Sequence, residues 1–223
     1  MTEQQRKNEI FEAAGARESS SVAGLIFETP VIDVPLPSDG KVYPEGHPLH
    51  GKDSVTISGM TAAQENILTN RSLAKRGTLL THLIQSCIKD RAVNAKEMLI
   101  GDRNTIMVAL RSSGYGPDYK GKVTCPECSE GSTQNFGLDK LPIRRLASNP
   151  IDSGVNLFEF TLPQSKAKVK FKFLTGNDEE EIAMVQANKK KAGAGPDSEL
   201  VTSGLLQTIV SINGITDRTQ ISM

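Results

Sequence analysis

The sequence contains no tryptophan, and only three tyrosines and seven phenylalanines stand among its 223 residues. Proteins that bind single-stranded nucleic acid use aromatic side chains as stacking platforms, so this scarcity disfavours that class. Lysine plus arginine equals aspartate plus glutamate at 26 each, which leaves no net charge to attract a nucleic acid or an anionic membrane. We therefore expect protein partners, and no nucleic acid or membrane.

Long apolar runs and paired cysteines are also missing. No stretch approaches the roughly 20 apolar residues of a membrane helix, and the polar opening at residues 1–7 does not resemble a signal peptide. Three cysteines cannot form a paired disulfide framework, which favours a reducing compartment or a metal over secretion. A chain of this length can bury a core without disulfides, so we expect a soluble protein.

Helical signals concentrate between residues 62 and 111. Thr61 is followed three residues later by Gln64, the spacing of a capping box, which predicts a helix beginning near Ala62. An apolar stripe with helical periodicity predicts the next helix, and it consists of Leu79, Leu80, Leu83, Ile84, Cys87 and Ile88.

Two more helices are predicted before residue 112. Asn94 and Glu97 repeat the cap spacing, Gly101 can end that helix in a left-handed turn, and Asp102 can cap the next one. Arg111 falls in the last turn, where it is expected to bond the free carbonyls and to pair with an acid such as Asp102.

Alternation of apolar and polar residues predicts strands on both sides of this helical region. Residues 32–36 and 55–57 predict two short strands, joined by a turn-rich loop that Tyr43 is expected to fix by packing inward. Residues 158–162 and 169–173 predict a hairpin with lysines on its outer face. A solvated edge explains these lysines better than an anion-binding face does.

The C-terminal part predicts two helices. Asn177 and Glu180 have the capping spacing, and that helix should run to Lys191. Residues 201–210 predict a last amphipathic helix. The sequence stops soon after a further helix-start signal at 216–218, so we expect a truncated segment or one that a partner completes.

Together these elements predict an α+β fold, with a central helical region, short N-terminal strands, and a second half that contains a CxxC knuckle, a β-hairpin and two helices. The expected segments are a flexible N-terminal arm at 1–29, a strand-plus-helical domain at 30–121, a knuckle and hairpin region at 122–175, and C-terminal helices at 176–223. The arm is either a disordered terminus or a segment that orders against a partner subunit and buries Leu25, Ile26 and Phe27.

Cys125 and Cys128 form the knuckle, Cys-Pro-Glu-Cys, and match half of a tetrahedral zinc site. No second CxxC exists, and the other candidate ligands are Cys87, His47, His50 and His82. Three interpretations remain open: an intramolecular zinc site, a metal site completed across a subunit interface, and a turn without metal. A redox role requires a helix directly after the first cysteine, and Ser-Glu-Gly-Ser does not begin one.

No group of residues converges on catalytic chemistry, so we expect a protein that is not an enzyme. Asp102 has no second carboxylate or histidine placed to share acid–base work, and aspartate is a favoured cap residue. The glycine-rich turn at 112–116 follows Arg111 and could bind an anion, but an arginine in a last helical turn more often bonds free carbonyls.

Five motifs follow one another along the chain: 37–43 (PSDGKVY), 57–68 (ISGMTAAQENIL), 101–104 (GDRN), 111–116 (RSSGYG) and 125–128 (CPEC). This ordered set resembles the baseplate hub assembly proteins of T-even-type bacteriophages, and the resemblance covers roughly residues 31–215. It implies a non-enzymatic protein of a contractile tail, either a built-in hub or baseplate subunit or a chaperone for hub and tape-measure assembly. It also implies other tail and hub proteins as partners, with a location in the virion baseplate or in the host cytoplasm during tail assembly.

Two departures accompany this resemblance: Ser129 stands where a zinc ribbon prefers glycine, and a continuing C-terminal helical segment is missing. The predicted interface residues are the three of the arm together with Arg111, Tyr115 and Tyr119. The rival from another class is a zinc-binding knuckle module that acts in nucleic-acid or regulatory binding, based on the CxxC and the lysine face.

Overall fold

The computed structural model describes residues 29–191 and 200–221, and it has the predicted α+β architecture. The strands are β1 (Val31–Pro35), β2 (Ser54–Ser58), β3 (Asp118–Thr124), β4 (Gly131–Gly137), β5 (Phe158–Thr161), β6 (Lys168–Phe171) and β7 (Ile209–Ile212). The helices are α1 (Ala62–Leu68), α2 (Arg71–Arg76), α3 (Leu79–Cys87), α4 (Ile100–Tyr115), α5 (Gly176–Lys191), α6 (Leu200–Thr208) and α7 (Arg218–Ile221). The predicted arm, with Leu25, Ile26 and Phe27, lies outside the described residues.

The described strands form three antiparallel sheets, β1-β2, β3-β4 and β5-β6-β7. In the first sheet Val34 lies opposite Val55, and Ile32 lies opposite Ile57. These apolar pairs share one face because side chains alternate along a strand. That face covers the core, which confirms the two strands predicted from alternation.

One core lies between the first sheet, α3, α4 and the loop that connects β1 to β2. Phe158 at the start of β5 joins it and is only 2% exposed. The other buried apolar members are Val34, Leu36, Val42, Tyr43, Leu49, Val55, Ile57, Leu83, Ile84, Cys87, Ile88, Val93, Ala95, Met98, Leu99, Ile106 and Leu110.

The predicted start of α1 is confirmed, and the predicted stripe of α3 is partly wrong. The Thr61 N–H donates to Gln64 Oε1 at 3.0 Å, so the capping box is present and α1 begins at Ala62. In α3, Leu80 is 38% exposed whereas Thr81 is buried. The buried face is therefore rotated from the expected one, because the Thr81 hydroxyl accepts a hydrogen bond from Arg103.

The helix predicted from Asn94 to Gly101 is absent, and residues 94–99 lie outside any helix. Residues 95–97 form a turn, and Leu99 is extended and bridges to Thr175. The backbone on either side of Leu99 is held there, since the Ile100 N–H donates to the Leu174 carbonyl at 2.9 Å and the Gly176 N–H donates to the Met98 carbonyl at 3.0 Å. Helix α4 begins at Ile100, so Gly101 lies inside its first turn.

Two expectations for the C-terminal part are also wrong. The last amphipathic helix ends at Thr208, and β7 follows it and pairs with β6. The β-branched run from Ile209 suits a strand once a sheet edge is next to it. Helix α5 is capped by Thr175 and Asp178 rather than by the predicted pair, since an Asp178 carboxylate oxygen accepts from the Thr175 N–H at 2.8 Å and from its hydroxyl at 2.7 Å.

Candidate assembly surface

A buried carboxylate joins the β1–β2 loop to the first turn of α4. Asp102 is fully buried and accepts hydrogen bonds from the Ser38 N–H at 3.0 Å, the Ser38 hydroxyl at 2.6 Å and the Tyr43 hydroxyl at 2.7 Å. The Tyr43 oxygen in turn accepts from the Leu99 N–H at 3.1 Å. We call these four residues, Ser38, Tyr43, Leu99 and Asp102, the Asp102 cluster. Asp102 is thus not the N-terminal cap that the sequence predicted.

The loop reaches this position through a tight turn at Gly40. Its φ is +67°, and a Cβ there would overlap with the Leu49 carbonyl, so only glycine fits. Tyr43 is 3% exposed, which confirms that this side chain packs inward and fixes the loop. Its burial, together with the nearby charge of Asp102, raises the pKa of the Tyr43 hydroxyl well above its ordinary value, so this group donates to the carboxylate.

Arg103, the next residue, is a buried charge that sequence reasoning missed. It is 3% exposed, donates from Nη2 to the Thr81 hydroxyl at 3.1 Å, and lies 3.3 Å from a Glu179 carboxylate oxygen. Burial lowers its pKa, while Glu179 and Glu180 oppose that effect. The helical spacing of Leu99, Arg103, Ile106 and Leu110 is the signal that could have placed Arg103 on the buried face.

The C-terminal end of α4 presents the first predicted interface residues. Arg111 donates to the Gly116 carbonyl at 3.2 Å, and its guanidinium carbon lies 5.0 Å from the centre of the Tyr115 ring. The predicted bond to a free carbonyl is confirmed, and the predicted pairing with Asp102 is wrong. The two residues are nine positions apart along the helix, a rise of about 14 Å. Tyr115 is 54% exposed beside this arginine.

The hairpin of β3 and β4 carries an exposed aromatic pair. Tyr119 lies opposite Phe136 with ring centroids 6.4 Å apart, and Val123 lies further along the same face of β3. No residue of either strand is buried, and in the described chain neither strand pairs with a third one. A two-stranded ribbon is marginally stable by itself in water, so this face has the character of a surface that a partner covers.

The CxxC knuckle forms the tip of this hairpin. The Cys125 N–H donates to the Glu130 carbonyl at 2.9 Å, and the Ser129 N–H donates to the Cys125 carbonyl at 2.9 Å. Ser129 has a φ of +58°, which explains why this position of a knuckle favours glycine. The backbone N–H groups of Cys128 and Glu127 lower the pKa of the Cys125 thiol by favouring its thiolate.

The other candidate ligands lie elsewhere and have their own contacts. Cys87 is buried in the core, and His82 is on the exposed side of α3 as predicted. The His47 ring stacks on Tyr43 at 4.6 Å, and His50 Nδ1 lies 2.6 Å from the Tyr43 carbonyl. Within the described residues, no three His, Cys, Asp or Glu side chains form a group that could hold a metal.

An apolar groove lies next to the base of the hairpin. Its volume is about 390 Å³, and its walls include Ile32 on β1, Val108 on α4, and the exposed side chains of Leu141 and Ile143. The Leu138 N–H donates to the Pro117 carbonyl at 2.9 Å and ties the groove to the hairpin base. The groove therefore adjoins the base of the hairpin.

Residues 29–156, more than half of the chain, match a family model described as T4 bacteriophage base plate protein. The chain belongs to this family. The matched range includes the Asp102 cluster, α4 and the whole β3–β4 hairpin. No curated protein and no solved structure matches the chain.

Family membership makes this chain a structural protein of the phage tail baseplate, and it locates the protein in the virion tail as part of a multi-subunit assembly. The expected resemblance to T-even-type baseplate proteins is thereby confirmed at the level of the baseplate. None of the described helices is long and apolar enough to span a membrane.

Proposed function

We propose that this protein acts in assembly of the baseplate hub of a contractile tail, and that it does so by binding other hub or tail subunits. The contact is made by the hairpin surface, which we define as Tyr115, Tyr119, Val123 and Phe136 together with Arg111. The observation that carries the proposal is the exposure of this set, from 42% for Phe136 to 54% for Tyr115 among the aromatic members.

The composition of the hairpin surface supports a protein partner. Aromatic residues and arginine are enriched at protein interfaces, where they supply large contact areas with few rotatable bonds. Arg111 already lies against the Tyr115 ring, so little side-chain freedom remains to be lost when a partner binds. The absence of net charge suits a packed assembly of many subunits.

The Asp102 cluster supports the same proposal by fixing the base from which the hairpin projects. It anchors the N-terminal turn of α4 to the β1–β2 loop. The C-terminal end of the same helix leads through Gly116 into β3. The hairpin surface therefore stands at the end of an ordered helix, and binding residues on ordered elements keep their geometry.

The matched test substitutes one cross-strand pair of side chains on each face of the hairpin in separate variants. We expect the double variant Tyr119→Ser, Phe136→Ser to bind purified hub and tape-measure subunits at least about tenfold more weakly than the original chain. The control is Lys120→Ser, Asn135→Ser, the next cross-strand pair, which lies on the opposite face. Native mass spectrometry of the mixtures measures the complexes. Unchanged binding by the aromatic variant would remove the hairpin surface from the proposal.

The amount of the protein in finished tails and in assembly intermediates separates the two roles that a hub assembly protein can have. A built-in subunit is found in stoichiometric amounts in finished tails, whereas a chaperone is found only in assembly intermediates. A chain that lacks residues 1–29 tests the predicted arm with Leu25, Ile26 and Phe27. Assembly that proceeds unchanged without them would remove the arm from the proposed contacts.

The rival proposal of a nucleic-acid module gains little from the predicted lysine face. Lys172 lies 2.6 Å from an Asp178 carboxylate oxygen, and Lys170 lies opposite Glu159 in the hairpin register. Neighbouring carboxylates offset the positive charge that phosphate binding would need.

A further inference from the structure

The two thiols at the hairpin tip could supply two of the four ligands of a tetrahedral metal site. Cys125 and Cys128 are both reduced, and Cys128 is exposed. Two backbone hydrogen bonds close the turn that carries them, from the Cys125 N–H to the Glu130 carbonyl and from the Ser129 N–H to the Cys125 carbonyl, both at 2.9 Å. The turn therefore holds the two cysteines together at one end of the hairpin, with the spacing of two thiolate ligands in a tetrahedral zinc site.

The remaining ligands have to come from outside the chain. A closed structural zinc site has four ligands in tetrahedral arrangement. The third cysteine, Cys87, is fully buried beside Ile84 in the core, and the described residues bring no other His, Cys, Asp or Glu into a group with the tip. Two sulfurs are thus present where four ligands are required.

The position of Cys125 indicates from which side the missing ligands approach. The Cys125 to Glu130 hydrogen bond continues the β3–β4 register by one pair. Strand alternation then places Cys125 on the face of Tyr119 and Val123, which is the apolar face. The ligands that complete the site therefore approach the tip from the side of this face.

We propose that Cys125 and Cys128 bind zinc together with the same two cysteines of a second copy of this chain. Two copies supply four equivalent thiolates, which is a complete ligand set, and a twofold axis through the metal makes the contact self-complementary. Each thiol loses its proton to solvent as it binds Zn²⁺, and no oxidation state changes. This proposal does not depend on the hub partners proposed above.

The charges at the tip make this association depend on the metal. Between Thr124 and Gly131 the chain has two carboxylates, Glu127 and Glu130, and no lysine or arginine. Two tips that approach each other without metal bring four carboxylates and four thiols together, and like charges repel. Zinc offsets this repulsion. We therefore expect the pair of copies to separate when the metal is removed.

The experiment measures zinc content and mass of the purified full chain in a reducing buffer, before and after titration with Zn²⁺. We expect half a zinc per chain, a dimer by native mass spectrometry, and a monomer after a chelator is added. Co²⁺ in place of zinc should give the intense thiolate-to-metal absorption of a tetrahedral four-sulfur site. Cys125→Ser and Cys128→Ser should each abolish zinc binding and dimerisation.

The matched control is Glu127→Gln, which changes the tip but keeps both thiols. It should retain the metal and the dimer, and the circular dichroism of all three variants should equal that of the original chain because the tip contributes nothing to the core. A dimer that persists without zinc, one zinc per monomer, zinc retained by the cysteine variants, or no zinc uptake by the reduced chain would each overturn the proposal.

Discussion

Asp102 lies in the first turn of α4, where the helix dipole favours a negative charge, and three donors from one loop surround it. At the residue scale, this carboxylate bonds to another segment of the chain, whereas a helix cap bonds only to the N–H groups of its own helix. It satisfies the Ser38 N–H and two hydroxyls that the core would otherwise leave without partners. If the Asp102 carboxylate is removed, these buried donors have no partner, and the folded state is destabilised by the full free energy of their desolvation.

We expect Asp102→Ala to lower the free energy of unfolding by about 3 kcal/mol, because it leaves the buried donors of Ser38 and Tyr43 unpaired. Urea denaturation measures the change. Asp118→Ala is the control, since that aspartate is exposed, and its effect should stay within about 0.5 kcal/mol. Equal effects of the two substitutions would show that the cluster is not a unit of stability.

His47 makes a pH-dependent contribution at the same scale. Its Nδ1 accepts from the Leu49 N–H at 3.1 Å, so the neutral ring carries its proton on Nε2, which lies 3.7 Å from a Glu97 carboxylate oxygen. Burial lowers the pKa of His47, and Glu97 opposes that effect. Protonation at Nδ1 would break the bond to Leu49.

Stability should consequently fall as the pH drops below the ordinary histidine pKa of about 6.5, because the unfolded chain then binds a proton that the folded chain does not. The stability that neutral His47 contributes is fully present above that pH. We expect the unfolding temperature to decrease from pH 7.5 to 5.5, and His47→Gln to make that decrease smaller. His82→Gln, at an exposed site, should leave the original decrease in place. A slope that His47→Gln does not alter would exclude this residue as the cause.

At the scale of elements, the contact between α4 and α5 depends on a missing side chain. Gly176 begins α5, and a Cβ there would overlap with the guanidinium of Arg103 and lie 3.0 Å from the Ala95 carbonyl. The arginine cannot move away easily, since Thr81 and Glu179 hold it. The close contact between the start of α5 and Arg103 of α4 is therefore possible because residue 176 is glycine.

Gly176→Ala should lower the free energy of unfolding by roughly 2 kcal/mol, since the new methyl displaces a buried charge from its partners. Gly101→Ala in α4 is the contrasting substitution. Nothing lies within 4 Å of the added Cβ there, so it should raise stability by about 0.5–1 kcal/mol through helix propensity. Guanidinium denaturation of both variants tests the pair. Stabilisation by both would mean that Arg103 has room to move.

At the scale of the whole molecule, the core extends beyond the family-matched range. Phe158 enters it from β5 and stacks on Phe171 with centroids 5.6 Å apart. The ion pair of Arg103 with Glu179 and the backbone bonds from 98–100 to 174–176 cross the same boundary. Unfolding experiments can therefore test whether the segments predicted to divide at residues 121 and 175 unfold together or separately.

We expect a fragment of residues 29–156 to unfold at a lower temperature than residues 29–221. It lacks Phe158, which fills part of the core, and it lacks Glu179, which pairs with Arg103. A fragment of 29–191 keeps both residues and should recover most of the difference. Circular dichroism melts of the three chains make the comparison. Equal melting temperatures would instead support independent folding of the segments.

Local patterns in the sequence determined much of this protein. The Thr61 and Gln64 cap and the alternation in β1, β2 and the β5–β6 hairpin depend on residues close together in the chain. The physical preferences behind them act over a few residues, so a linear pattern is enough to read them. The same holds for the cysteine pair, whose spacing alone identified a knuckle.

Only the tertiary structure decided the start of α4, the strand β7 and the burial of Arg103. Leu99 is extended because its neighbours Met98 and Ile100 bond to the backbone at 174–176, and β7 replaces the end of a helix because the edge of β6 is beside it. Arg103 can be buried because Thr81 and Glu179, far apart in the sequence, both reach it. Long-range hydrogen bonds and ion pairs outweigh local propensities of a few tenths of a kcal/mol per residue, and no local pattern records them.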